Sequence, residues 1–115
     1  MLKKAQRITS SRLISLLFKK GKVYKNKAFI IRFLPSLYNN PQFAVIVSKK
    51  VDSKAVGRNL IKRRVSELIR LNLNQLPSPI VALVMIKSSV TPYSYSILKQ
   101  EILNFLSHYQ QSTHV

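Results

Sequence analysis

The chain has 115 residues, which is enough for one domain and too few for two. Apolar residues make up 46% of it, so the chain can bury a core and is not a disordered basic tail. Lysine and arginine number 20 against three acidic residues, and the resulting net charge of +17 indicates a polyanionic partner.

The residue types that usually carry catalysis are scarce in this sequence. The only acidic residues are Asp52, Glu67 and Glu101, cysteine is absent, and both histidines, His108 and His114, lie in the last eight residues. A general acid–base pair or a cage for a hard cation would need nearly all the acidic residues in one place. Without cysteine there is no thiol nucleophile, disulfide or thiolate zinc site. The sequence therefore predicts no catalytic residue and no metal site on the protein itself.

The positive charge is concentrated in the first part of the chain. Eighteen of the 20 basic residues lie within positions 1–70, and no repeat, linker or low-complexity tract separates that part from the rest. We therefore predict a single domain over residues 1–115 that carries one basic face. The apolar runs are too short for a signal peptide or a membrane span, and we expect a cytoplasmic protein that does not contact membranes.

One helix and two strands are predicted in the first half. Thr9 or Ser10 can cap a helix that ends at Gly21. Its apolar side carries Leu13, Leu16 and Leu17, with Ile14 and Phe18 beside them. Residues 28–34 alternate in the manner of a strand, and Ile30 and Arg32 are predicted to point away from the face that carries Phe29, Ile31 and Phe33. Residues 43–48 follow after a loop rich in asparagine and proline. We predict that these two strands form a hairpin.

The second half of the sequence is predicted to form a helix at about residues 55–73, a strand at residues 80–86 and a final helix. The strand is continuously apolar, which suits a strand covered on both faces. Thr91 and Pro92 resemble the start of the last helix. That helix is expected to bury Leu98, Ile102, Phe105, Leu106 and Tyr109. The order of elements is that of a small mixed sandwich of helices and sheet.

The helix at residues 55–73 is the most informative segment. At 100° per residue, Ile61, Val65 and Leu68 fall on one side. The other side gathers Asn59, Lys62, Arg63, Ser66 and Arg70, with Arg58 near the N-terminus. Cations one helical turn apart can contact successive phosphates, and almost no acidic residue is available to pair with them. We therefore favour a nucleic-acid-binding face over a merely solvated one, although charge does not separate DNA from RNA.

Several of these residues resemble the signature of the bacterial ribonuclease P protein component. The matching segments are residues 47–50, 55–56 and 58–63, and residues 18–21 and the strand from Ala28 fall at the family's spacing. The resemblance covers about residues 7–110. It implies an α+β fold, an α-β-β-β-α-β-α sandwich with a central sheet and a left-handed βαβ crossover, against the usual right-handed rule.

The resemblance also implies a function. The chain would be the accessory subunit of an endoribonuclease that removes the 5′ leader of precursor tRNA. The RNA subunit would carry out the hydrolysis with Mg²⁺ that is bound mainly by RNA. The protein, inactive alone and without a bound cofactor or a small-molecule substrate, would bind the catalytic RNA and the leader.

The residues that match the family's motifs divide into two groups. Contacts with the catalytic RNA are assigned to Lys49, Lys50, Arg58, Asn59, Lys62 and Arg63. The family usually has arginine at Leu60 and a basic residue at Ser66, and Arg70, together with Arg64, is expected to compensate.

A second group is assigned to a cleft that holds the single-stranded leader: Ile14, Phe18 and Arg32. Ile14 and Arg32 stand where the family often has aromatic residues, so we expect leader binding to rest more on charge and less on stacking. The alternative for Ile14 and Phe18 is ordinary helix core.

Two other functions fit the charge. A structural RNA-binding protein, such as a ribosomal protein, would bind RNA without preferring a 5′ leader. A peripheral membrane protein would need an exposed apolar helix face, and the apolar face of the basic helix is expected to be used by the core.

Overall fold

The structure is a computed structural model, and it describes residues 7–8, 10–26, 28–35, 41–75, 79–87 and 95–112. The elements are α1 (Ser11–Lys20), β1 (Lys22–Lys25), β2 (Phe29–Pro35), β3 (Gln42–Ile46), α2 (Ala55–Leu71), a 3₁₀ turn (Leu73–Gln75), β4 (Ile80–Ile86) and α3 (Tyr95–Ser112). This confirms the predicted order of helices and strands. The helix that was predicted to end near residue 73 ends at Leu71, and the 3₁₀ turn follows it.

The four strands form one mixed sheet in the order β1-β2-β4-β3. β2 is antiparallel to both β1 and β4, whereas β3 is parallel to β4. The predicted hairpin of β2 and β3 is therefore wrong, because β4 lies between them. β4 is apolar on both faces and is best covered at the centre of the sheet, where helices and neighbouring strands surround it. The left-handedness of the β3–α2–β4 crossover stays a prediction.

α1 begins and ends where the sequence predicts. The Ser10 side chain accepts a hydrogen bond from the Leu13 N–H at 3.3 Å. At the other end, the Gly21 N–H donates to the Leu17 carbonyl at 3.0 Å, and a side chain at Gly21 would collide with that carbonyl. Leu17 is fully buried, but Leu16, predicted on the apolar side, is 40% exposed. Only a narrow strip of α1 therefore packs on the sheet.

The sheet separates two apolar layers. The larger core lies between one face of the sheet and the helices α2 and α3, and it contains Phe29, Ile31, Phe33, Val65, Leu68, Leu98, Ile102, Phe105 and Leu106 among others. The smaller core lies under α1 and is formed by Ile8, Leu17, Val81 and Leu83. Because α1 is short, it leaves part of its face of the sheet uncovered.

α3 is tied to the β1–β2 turn by one side chain. Asn26 Nδ2 donates to the Glu101 carbonyl at 3.0 Å, while its Oδ1 accepts from the N–H groups of Ala28 and Phe29 at 3.1 and 2.9 Å. The buried residues predicted for α3 are confirmed apart from Tyr109, whose side chain lies outside the described residues. Thr91 and Pro92 lie outside them as well. Within the described ranges, no helix is both long and apolar enough to cross a membrane.

Candidate nucleic-acid interface

Two predicted RNA-binding lysines lie in a tight turn after β3. The Val51 N–H donates to the Ser48 carbonyl at 3.1 Å, which closes the turn and leaves Lys49 and Lys50 at its two central positions. Val51 is buried and anchors the turn, whereas both lysines are exposed. The turn therefore presents two ammonium groups shortly before α2 begins.

Arg58 fixes the start of α2. Its Nη1 donates to the carbonyls of Asp52 and Ser53 at 3.0 and 2.9 Å. Asp52 in turn accepts from the Lys54 N–H at 2.9 Å, and its carboxylate lies so close to Gly57 that a side chain there would collide with it. Arg58 is half-buried and has a positioning role that sequence reasoning missed. Its other guanidinium nitrogens make no hydrogen bond to a described residue, so they can still reach a phosphate.

The middle of α2 exposes the predicted basic face. Asn59, Lys62 and Arg63 are exposed, and together with Ser66 they line a groove of about 340 Å³ beside the edge of β3. Ser66 was predicted on this exposed face, but it is only 7% exposed. That prediction is wrong because Ser66 lies on the flank of the helix that faces β3, where it lines the groove together with Phe43 to Val45, and helical periodicity alone cannot show this. Arg7, which no motif singled out, lines the same groove.

Arg70 lies at the far end of α2 and is already paired. Its Nε donates to both carboxylate oxygens of Glu67, at 3.2 and 3.1 Å, and its Nη2 also bonds to Oε1. These hydrogen bonds are the largest of the causes that lower the pKa of the Glu67 carboxyl from 4.5 to about 2. They also raise the pKa of Arg70. Since Arg70 is three turns from Arg58, about 18 Å along the helix axis, it is not part of the same cluster.

Two of the three predicted leader-binding residues, Phe18 and Arg32, meet between α1 and β2. Phe18 is 48% exposed, and the Arg32 guanidinium carbon lies 5.1 Å from the centre of its ring. Arg32 Nη1 also donates to the Phe18 carbonyl at 3.2 Å, while its buried Nε has no hydrogen-bond partner among the described residues. Ile14 is half-buried against the smaller core. Phe18 is therefore largely exposed, whereas Ile14 packs mainly against the smaller core, and the role of these residues in leader binding stays a prediction.

The comparisons with known proteins agree on one family. The family model described as Ribonuclease P matches residues 2–110. The chain belongs to the ribonuclease P protein family. The ribonuclease P protein component of Clostridium botulinum is 32% identical over 104 residues, which cover 90% of this chain and 93% of that protein. The component of Rickettsia canadensis is 32% identical over 101 residues, which cover 79% and 86%.

Solved ribonuclease P proteins share the fold. A Staphylococcus aureus structure superimposes with a TM-score of 0.80 at 22% identity and covers 90% of this chain and 94% of its own. A Thermotoga maritima structure gives 0.79 at 25% identity, with 89% and 96% covered. As a ribonuclease P protein, the chain has the predicted subunit role in tRNA processing. The structural RNA-binding alternative is not favoured.

Sequence reasoning missed an apolar row on the face of the sheet that α1 covers only in part in this ribonuclease P protein. Strand register places Ile30, Met85 and Ile46 in one row across the sheet, on the same face as Arg32. Ile30 and Met85 are half-buried, and Ile46 is 39% exposed. The alternation of β2 indicated that Ile30 faces away from the main core. The row became visible only with the pairing of β2, β4 and β3, which the sequence did not provide.

Proposed function

We propose that this ribonuclease P protein binds the catalytic RNA through α2 and the turn before it. The 5′ leader of precursor tRNA then lies in the cleft between α1 and the sheet. The observation that carries the proposal is the exposed row of Asn59, Lys62 and Arg63, held on a helix whose opposite side is buried. None of the described residues that line the groove beside this row is acidic. Such a row is suited to the phosphates of a folded RNA.

The lysine and arginine side chains of this interface lower the electrostatic repulsion between two polyanions, the catalytic RNA and the precursor tRNA. Lys49 and Lys50 extend the positive surface beyond the start of α2, and Arg58 holds that start in place. Because each neutralised phosphate releases counterions, binding is expected to weaken steeply as salt rises. The protein thereby lets the precursor approach the catalytic RNA at low Mg²⁺.

The cleft supplies contacts that mature tRNA lacks. One side of the Phe18 ring carries the Arg32 guanidinium, and the exposed remainder can stack on a base of the leader. The apolar row on the sheet gives further contact area, while Arg32 supplies positive charge for a phosphate. Since the leader is absent after cleavage, these contacts favour the precursor over the product.

We propose that the RNA carries out the hydrolysis and binds the Mg²⁺, and that the protein alone is inactive. Asp52 and Glu67 lie at opposite ends of α2, and each is engaged in the hydrogen bonds described above. In the part of the chain that the structure describes, no three histidine or acidic residues come close enough to hold a metal ion. One Staphylococcus aureus neighbour is described as a mutant with defective mRNA degradation activity, so mRNA is a second substrate on which the inactivity of the protein alone is to be tested.

The interface on α2 is tested by the salt dependence of RNA binding. In the double variant Lys62→Ala/Arg63→Ala, the affinity for ribonuclease P RNA should fall. The slope of log K against log salt should flatten by about one unit for each lost phosphate contact. Lys99→Ala removes an exposed lysine from α3 and is the matched control, for which the slope should not change. An unchanged slope in the double variant, with the fold intact by circular dichroism, would remove α2 from the interface.

A further inference from the structure

The outer side of α1 carries positive charge that neither the α2 interface nor the leader cleft uses. Arg12 and Lys19 are exposed there, and α1 contains no acidic residue. Within the part of the chain that the structure describes, neither side chain forms a hydrogen bond or an ion pair. This charge is therefore free to meet an anionic ligand from outside the chain.

Helix stability does not explain the position of Arg12. Lys19 and Lys20 lie in the last turn of α1, where cations stabilise a helix. Arg12 is the second residue of α1, where the partial positive charge of the helix N-terminus disfavours a cation, and the first turn contains no acidic residue. Residues that act against the local preference of a helix are expected at functional sites. An anionic ligand therefore accounts for Arg12 better than the stability of α1 does.

Arg12 and Lys19 lie on one side of α1 and can act together. They are about 20° apart around the helix and about 10 Å apart along its axis. Ser11 and Ser15, both exposed, border the same shallow surface depression as these two cations. Two cations at two turns' distance, with hydroxyl donors beside them, suit successive phosphates of one strand. We call Arg12, Ser15 and Lys19 the outer patch.

The outer patch adjoins the proposed leader cleft. Around the helix, with steps of about 60°, 40° and 20°, the side chains follow one another in the order Phe18, Ser15, Lys19 and Arg12. The Phe18 ring is 48% exposed at the edge of that cleft. A single strand that stacks on Phe18 and continues over α1 therefore meets Lys19 next. Leu16 lies beyond Arg12, on the side away from Phe18, and carries no charge.

The outer patch and the α2 interface face in opposite directions. Leu17 of α1 packs in the smaller core on one face of the sheet, and Val65 of α2 packs in the larger core on the other face. A segment of RNA that is bound along α2 therefore does not cover the outer patch. Two positive surfaces on opposite sides of the sheet suit two separate polyanions, with the precursor on the side of α1.

We propose that the outer patch binds phosphates of the 5′ leader, upstream of the nucleotides that lie in the cleft. Arg12 and Lys19 each contact one phosphate, and the Ser15 hydroxyl donates to a phosphate oxygen between them. Because these contacts are made to the backbone, they depend on the length of the leader and not on its sequence. The inference rests on the proposed function, since it extends the path of the leader beyond the cleft.

The test measures the binding of precursor tRNA to the reconstituted ribonucleoprotein while the leader is lengthened from about 4 to 16 nucleotides, the range of single-strand sites on small domains. With the wild-type chain, the affinity should rise with leader length and then level off. In the double variant Arg12→Ala/Lys19→Ala, the affinity should fall by roughly tenfold for the longest leader and by less than about twofold for the shortest. The salt slope for the longest leader should flatten by about 1.4 units, because two contacts with a single strand are lost.

The matched control is Lys99→Glu, which removes the same two units of charge from α3 and should leave the dependence on leader length unchanged. If the wild-type affinity does not rise with leader length, or if the double variant keeps that rise with its fold intact by circular dichroism, this inference alone is contradicted. Weaker binding of the double variant to ribonuclease P RNA without precursor would assign the outer patch to the catalytic RNA and overturn the inference. A wild-type ribonucleoprotein that does not prefer even the shortest-leader precursor over mature tRNA would contradict the proposed leader cleft, and this inference with it.

Discussion

Arg32 and Phe18 show what can be predicted at the scale of single residues. The alternation in β2 predicted that Arg32 faces away from the main core, and this is confirmed. The sequence could not show that its guanidinium lies over the Phe18 ring, because that contact depends on how α1 docks on the sheet. Phe18 is exposed at the cleft rather than buried as helix core. The role of both residues in leader binding stays a prediction.

Phe18→Ala should weaken the binding of precursor tRNA to the reconstituted ribonucleoprotein. The loss of one stacked base is expected to cost about 1–3 kcal/mol. Binding of mature tRNA, which has no leader, should change little. Leu16→Ala truncates another exposed apolar residue on the same helix, outside the cleft, and should affect neither ligand. Equal losses for precursor and mature tRNA in Phe18→Ala would show that Phe18 has only a structural role.

Asn26 is a single residue that hydrogen-bonds the β1–β2 turn to α3. Asn26→Ala removes hydrogen bonds to two backbone N–H groups and one carbonyl. It should lower the free energy of unfolding by about 2 kcal/mol. For a domain of this size that corresponds to a fall in Tm of roughly 10 °C. Thermal unfolding followed by circular dichroism measures it, with the exposed Asn104→Ala as a control that should change Tm by much less. A similar Tm for both variants would contradict the role given to Asn26.

At the scale of elements, periodicity predicted which residues of a helix or strand are buried but not what covers its flanks. In α2 it correctly placed Val65 and Leu68 in the core, and it misplaced Ser66, which is buried on the flank that faces β3. It also could not pair strands. The apolar character of β4 on both faces was a signal for a central strand, but β2 and β3, adjacent in sequence, suggested a hairpin instead.

The pairing of Arg70 with Glu67 predicts the effect of removing one acid from α2. Glu67→Gln should release Arg70 for a phosphate, raise the affinity for ribonuclease P RNA and steepen the salt slope by up to about one unit. Glu101→Gln changes the net charge equally on α3 and should leave the slope unchanged. If the two variants behave alike, Arg70 does not contact the RNA.

The same pair has a defined pH dependence. Because the pKa of Glu67 in the fold is lowered from 4.5 to about 2, the pair stabilises the fold above about pH 4.5. That contribution is lost as the pH falls towards 2. Glu67→Gln should therefore be less sensitive to acid over this range than the wild-type chain, when both are unfolded by urea at successive pH values. An identical acid profile for the two would show that the ion pair does not form in solution.

At the scale of the whole molecule, the positive net charge that attracts RNA also destabilises the folded state of the free protein. The net charge of +17 on one small domain is self-repulsive. Raising potassium chloride from 0.1 to 1 M shortens the screening length from about 10 to 3 Å. We therefore expect Tm to rise with salt in the free protein, measured by calorimetry. Lys99→Glu, which lowers the net charge by two, should show a smaller rise. A Tm that falls with salt would contradict this account.

The central claim is that this protein assists a catalytic RNA and does not itself cleave. The measurement that tests it most directly is cleavage of a leader-bearing precursor tRNA by bacterial ribonuclease P RNA at low Mg²⁺, with and without the protein. The protein alone is tested on the same substrate and on mRNA. We predict strong stimulation of the RNA and no cleavage of either substrate by the protein alone. Cleavage of the precursor by the protein alone, or binding to the RNA without stimulation, would contradict the account.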